Sequence, residues 1–141
     1  MADPGLIVAE ARRWIGTPYR HQASVLGAGA DCLGLLRGVW RTVRGDEPAT
    51  MPPYSPDWSE VAGRESLWEA ARLWLIPAEV ARVGDVLLFR MRQGAVAKHL
   101  GIAAQDATGA SFIHAYTGHG VIESPLSEPW QRRIVARFTF P

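Results

Sequence analysis

Asp31-Cys32-Leu33-Gly34-Leu35 is the stretch on which the fold turns: the single cysteine of the chain follows a glycine-rich loop, Gly27-Ala28-Gly29-Ala30, and opens an apolar-periodic segment. Cys32, Leu36, Val39 and Val43 fall at i, i+4, i+7 and i+11, with Leu35 and Trp40 beside them. That spacing predicts a helix of about three turns with Asp31 as its N-cap. The free N–H groups and positive dipole end of such a helix favour an anion, so the sequence predicts a Cys32 thiol of lowered pKa, a nucleophile at a helix start. The alternative is a small buried hydrophobe, the commoner use of a lone cysteine. What separates the two lies in the rest of the chain.

Upstream, Asp3 can cap a helix with Pro4 at its first position, and Ile7, Val8, Ala11, Trp14 and Ile15 line one face until Gly16 ends it. Thr17-Pro18 prevents continuation. Tyr19, Arg20 and His21 then sit in an irregular connection of about fifteen residues, longer than most and therefore a candidate functional loop. Tyr19 either points a phenol at the site or packs on the first helix; His21 reads as a solvated loop histidine. Downstream, Arg44-Gly45-Asp46-Glu47-Pro48 breaks the helical pattern, and Pro48, Pro52, Pro53 and Pro56 make an extended surface excursion. Leu67, Trp68, Ala71, Trp74 and Leu75, preceded by Trp58 and Val61, predict a helix over 57–75, broken near Gly63 and stopped by Pro77, with its tryptophans in the core.

From Gly84 the period changes from helix to strand, with candidates at 85–91, 99–105, 111–117, 121–124 and 133–140. Helices first and a meander afterwards indicate an α+β fold: N-terminal helices, the nucleophile at a helix N-terminus, packed on a C-terminal antiparallel sheet of about five strands. If Gln105 pairs with Ala110, Gly101 faces His114 and His99 faces Tyr116, making His99 and His114 diagonal neighbours on one face. Diagonal neighbours have Cα atoms roughly 7 to 8 Å apart, near enough for two imidazoles to share a hydrogen bond. A thiol needs a base to take its proton and a second polar group to fix that base's tautomer. Read singly, His99 is a strand-edge residue and His114 a core histidine.

The 141 residues fit one domain, 1–141, nearly half of them hydrophobic. A formal net charge of +1, with cations and anions interspersed, shows no footprint for nucleic acid or an anionic membrane. The start, Met1-Ala2-Asp3-Pro4-Gly5, lacks the pattern of a signal peptide, and no apolar run approaches a membrane span, so synthesis in the cytoplasm without membrane insertion is expected. One cysteine excludes an internal disulfide.

Several ordered blocks carry a family resemblance: Trp14-Ile15-Gly16-Thr17-Pro18-Tyr19, Asp31-Cys32-Leu33-Gly34-Leu35, Val83-Gly84-Asp85-Val86-Leu87-Leu88-Phe89, His99-Leu100-Gly101-Ile102 and Phe112-Ile113-His114-Ala115. Together they resemble the NlpC-like cell-wall cysteine peptidases. The resemblance implies a papain-like fold and cleavage of peptide bonds in peptidoglycan stem peptides. It makes Cys32 the nucleophile, His99 the general base and His114 the orienting third residue. It likens Tyr19 to a tyrosine beside the nucleophile that assists the oxyanion or substrate, and Asp31 to the acidic residue preceding the cysteine. One departure counts: Leu33 stands where bacterial members commonly carry a serine of the substrate subsite, which leaves open which bond is cut.

The ending, Val121-Ile122-Glu123-Ser124-Pro125-Leu126 with Trp130-Gln131-Arg132-Arg133-Ile134-Val135, resembles the tail-associated peptidases of phages and gene transfer agents. That branch implies incorporation into a phage-like particle, tail-tip or baseplate partners, and action at the cell wall during DNA delivery. The segments around 48–56 and Trp130 are the expected exposed docking surfaces. The implied chemistry is acyl transfer through a thioester and requires no metal or organic cofactor. The other readings are a Cys-His-His zinc site, disfavoured because paired-ligand spacings are missing, a catalytically silent tail adaptor, and another acyl-transfer amidase on the same fold.

Overall fold

Asp3 turns the chain into its first helix: its side chain accepts the Gly5 N–H at 2.8 Å, Pro4 occupies the first helical position where no N–H is missed, and α1 runs Pro4–Arg13. The computed structural model describes residues 2–48, 54 and 63–141. Ile7, Val8, Ala11 and Trp14 are buried as their spacing predicts. Ile15, expected on the same face, is exposed, because the helix has already ended and Gly16 turns the chain with φ +94°. The connection that follows is less irregular than expected. Ser24–Val25 (β1) and Gly29–Ala30 (β2) form a small antiparallel pair, and Tyr19 bridges to Ala30.

α2 then runs Cys32–Val43, the three-turn helix predicted, and buries Cys32, Leu35, Leu36, Val39 and Trp40. Full burial of each large aliphatic side chain stabilises the fold by about 1.5–3 kcal/mol. Gly38 lets α1 approach: a Cβ there would lie 2.0 Å from the Trp14 ring. α3 is Ser66–Trp74, shorter than the predicted 57–75. Trp58 and Val61 lie outside the described residues, as do Pro52, Pro53 and Pro56 of the expected excursion. Leu67 and Ala71 are buried, and Trp68 and Trp74 pack half-buried against the same core.

Beyond α3, Ile76–Ala78 (β3) is a strand the periodicity did not show; Pro77, expected as a helix stop, sits in it. A proline is tolerated there because β3 is an edge strand. The five predicted strands follow as Val86–Arg90 (β4), Ala97–Asp106 (β5), Gly109–Tyr116 (β6), Gly120–Pro125 (β7) and Ile134–Thr139 (β8), with a one-turn helix, Glu128–Gln131 (α4), before the last. Among the described residues the main sheet therefore has six strands, ordered β3-β8-β4-β5-β6-β7 and antiparallel throughout. Gln105 pairs with Ala110, the register on which the histidine argument depends.

Alternation along the strands divides the core. Val86, Leu88, Leu100, Ile102, Ala104, Ile113, Ala115 and Phe138 join the residues of α1, α2 and α3. Leu87, Phe89, Ala103 and Phe112 form a second cluster with Trp130 of α4 packed against it. The sheet is thus covered on both faces, by helices on one and by α4 on the other. Among the described residues no helix is long and apolar enough to cross a membrane.

Candidate active site

Cys32 sits on the first turn of α2 because Asp31 caps it: Asp31 Oδ1 accepts the Gly34 N–H at 2.7 Å. The other oxygen, Oδ2, accepts the Gln22 N–H at 2.7 Å and the Tyr54 hydroxyl at 2.5 Å, and lies 3.7 Å from His21 Nδ1. Tyr54 is held from its other end as well, its carbonyl bonded to His21 Nε2 at 2.9 Å and to the Gln22 side chain at 2.6 Å. Tyr19, His21, Asp31, Cys32, Tyr54, Lys98, His99 and Tyr116 line a cleft of about 190 Å³. Cys32 and His99 thus open on the same cavity. The cysteine sulfur is 3.9 Å from the carbonyl oxygen of Lys98, the residue before His99.

His99 and His114 are the diagonal pair the strand register predicts, with His99 Nε2 and His114 Nδ1 2.7 Å apart and the rings nearly perpendicular at 78°. Gly101 makes room for this pair. A Cβ there would meet the Phe112 ring at 2.8 Å and His114 Cβ at 3.4 Å. On its far side His114 Nε2 lies 2.9 Å from the Ser124 hydroxyl of β7. Trp130 closes the face, its ring 5.4 Å from His114 and 5.9 Å from His99, so the tryptophan expected to be a docking surface packs instead on the histidines. Trp130 is half-buried there because α4 folds the chain back over the sheet before β8.

The electrostatics correct one expectation. Cys32 was expected to be acidified by the helix terminus; its thiol is instead pushed up to about 12, first by burial and then by the charge of Asp31. Backbone N–H groups of Leu100, Leu33 and Cys32 pull the other way and are outweighed. Burial, then the neighbouring His114, pushes His99 down to about 3; burial, then His119, pushes His114 down to about 4. Near neutral pH the resting site therefore holds a thiol and two neutral imidazoles.

The family model that matches this chain covers residues 16–139 and is that of the NlpC/P60 family. The chain belongs to the NlpC/P60 family. It is 30% identical over 121 residues to "Murein DD-endopeptidase MepS/Murein LD-carboxypeptidase" of Escherichia coli K12, covering 85% of this chain and 54% of that protein. To "Probable endopeptidase NlpC" of the same organism it is 30% identical over 126 residues, 89% of this chain and 70% of the other. The chain thus spans about half the length of the first of these relatives. The solved NlpC/p60 domain of the peptidoglycan hydrolase SagA superposes with a TM-score of 0.61 at 24% identity, covering 98% of this chain and 99% of that one. A Bacillus cereus NlpC/P60 family protein gives 0.66 at 17% identity, over 98% of this chain and 40% of its own. The papain-like fold of the NlpC/P60 family is therefore that of this chain.

Within this NlpC/P60 fold the sequence-predicted residues Tyr19, Asp31, Cys32 and His99 share the cleft, and His114 backs His99 from behind. Tyr19 is half-buried, its phenol hydrogen-bonded to Thr117 and its pKa raised by burial. His21 is exposed, as expected of a loop histidine, and its Nε2 also lies 2.9 Å from the Tyr54 carbonyl. Three residues escaped the sequence reading. Ser124 was within reach, since extending the hairpin register to β7 puts it opposite Phe112 and on the face of His114. Trp130 and Tyr54 had no periodic signal, Trp130 being placed by the one-turn helix α4. Among the described residues no group of three or more His, Cys, Asp or Glu is placed to hold a metal ion.

Proposed function

We propose that the protein is a cysteine peptidase that hydrolyses peptide bonds in peptidoglycan stem peptides, with Cys32 as nucleophile, His99 as general base and His114 as the residue that orients it. The observation that carries this reading is a thiol sharing a cleft with an imidazole whose Nε2 is held 2.7 Å from a second imidazole. With Nε2 engaged, Nδ1 of His99 is the nitrogen left for the thiol proton. As sulfur attacks the peptide carbonyl, that proton passes to His99 Nδ1 and the carbonyl becomes an oxyanion, met by the Cys32 backbone N–H with Tyr19 beside it. His99 returns the proton to the departing amine, leaving a thioester. Water, deprotonated by the same nitrogen, then releases the acid and restores the thiol. Because thiol and imidazole both rest neutral, proton transfer accompanies attack and no ion pair need exist beforehand. Asp31 holds the helix start and presents a carboxylate to the cleft. Leu33 in place of serine argues for a subsite that differs from the common one, which bears on the bond chosen.

The resemblance of segments 121–126 and 130–135 to tail-associated peptidases supports a finer reading: carriage on a phage-like tail tip or baseplate, with local wall opening during DNA delivery. The whole proposal is tested by incubating the protein with purified peptidoglycan and weighing the released fragments. New amino and carboxyl termini within stem peptides, lost in Cys32→Ala with unchanged circular dichroism, are expected. Intact stems from the wild type would leave an adaptor on this fold, and full activity in Cys32→Ala would remove the thiol from the chemistry. For the carriage reading, purified particles should contain the chain in small fixed copy number at the tail tip; its absence from particles would defeat that part alone.

A further inference from the structure

We propose that Ser124 is a positioning residue of the site: its hydroxyl fixes the proton arrangement of His114 and, through it, leaves His99 Nδ1 unprotonated to receive the thiol proton. The inference rests on the peptidase reading for its catalytic consequence, but the proton arrangement itself can be measured without any substrate.

The argument follows the hydrogens along three groups in a row. For His99 to act through Nδ1, its single imidazole hydrogen must be on Nε2, donating to His114 Nδ1 across 2.7 Å. His114 Nδ1 must then be the bare acceptor, so the hydrogen of His114 is on Nε2, 2.9 Å from Ser124 Oγ, which accepts it. Reversing any one bond reverses them all and protonates Nδ1 of His99, the arrangement that cannot take a proton from sulfur. His114 is fully buried, whereas Ser124 is half-buried and its oxygen makes no other hydrogen bond among the described residues. Water can therefore take the serine hydrogen, which turns the oxygen lone pair toward His114. When His99 becomes an imidazolium during attack, both of its hydrogens are donors, and the same direction of bonds carries part of the charge outward to the hydroxyl.

The placement of Ser124 comes from register. It faces Phe112 across the β6–β7 ladder, two residues from Ile122, the partner of His114. It is the strand-to-strand diagonal that joins His99 to His114, repeated one strand further out. Without the hydroxyl, the N–H of His114 in the productive arrangement is buried with no acceptor, whereas the reversed arrangement leaves only a bare ring nitrogen there, so the bias toward the productive direction is lost.

The test is ¹⁵N–¹H spectroscopy of histidine side chains in the intact protein at neutral pH, with Ser124→Ala and Ser124→Thr as variants. The wild type and Ser124→Thr should show His99 and His114 both with hydrogen on Nε2; Ser124→Ala should show a mixture of tautomers. On peptidoglycan, kcat of Ser124→Ala should fall about tenfold with KM little changed, and Ser124→Thr should recover most of it. Hydrogen on Nδ1 of His99 in the wild type, or wild-type tautomers in Ser124→Ala, would overturn the proposal. A wild type that shows the expected tautomers yet cuts no peptidoglycan would instead count against the peptidase reading and leave the role of Ser124 in the proton arrangement standing.

Discussion

Cys32 and Asp31 are chain neighbours with opposed effects. The carboxylate places the sulfur by capping α2, and the same charge, next to burial, holds the thiol protonated. Iodoacetamide alkylation of the native protein should therefore keep accelerating above the ordinary thiol value of 9.0, where a free thiol levels off. Asp31→Asn keeps the Oδ1 acceptor for Gly34 and removes the charge, so its alkylation profile should shift to lower pH. A wild-type profile already flat at neutral pH would mean that the helix terminus wins after all. The histidines give a second titration. An imidazole whose folded pKa lies below its ordinary 6.5 is protonated more readily in the unfolded chain. Its contribution to stability is whole above about 6.5 and is lost as pH falls toward about 3 for His99 and about 4 for His114. At pH about 5 the loss is about 2 kcal/mol per histidine. Urea unfolding at about pH 8 and about pH 5 should show this loss in the wild type and roughly half of it in His114→Gln; equal losses in both would refute the assignment.

At the scale of elements, the first turn of α2 is packed against the β1 end of the preceding loop with no room to spare. A Cβ on Gly34 would lie 1.8 Å from the carbonyl oxygen of Ala23, which is backbone and yields only if the loop moves. Gly34→Ala should therefore destabilise the protein by about 1–3 kcal/mol and disturb the thiol's position, read as a lower melting temperature together with a changed alkylation rate. An unchanged melt would show that the loop shifts freely. The helices α1 and α2 and the β5–β6 hairpin were legible in sequence because each has its own cue: a cap, a period, a register. The strand β3 was not, since three residues containing Pro77 carry no alternation and form only because the edge of β8 offers hydrogen bonds. The thiol's acidity was misread for a related reason: the helix terminus is visible in sequence, while the depth at which it is buried is a property of the packed sheet.

In the whole molecule the proposed nucleophile and its proposed base come from different halves of the chain, brought together where the sulfur of Cys32 meets the carbonyl of Lys98, 66 positions away. α2 buries Leu35, Leu36 and Val39 in the same cluster as Leu100, Ile102 and Ile113, and Gly16 and Thr17 exchange backbone bonds with Val121. A chain severed between 48 and 63 should consequently yield two pieces that are each inert and that regain turnover when mixed. Activity would then rise with the product of the two concentrations at low dose, a bimolecular signature. Turnover by the C-terminal piece alone would disprove it. Stated as chemistry of synthesis, the proposed hydrolysis cannot begin while the first half is being made, because His99, its proposed base, has yet to leave the ribosome.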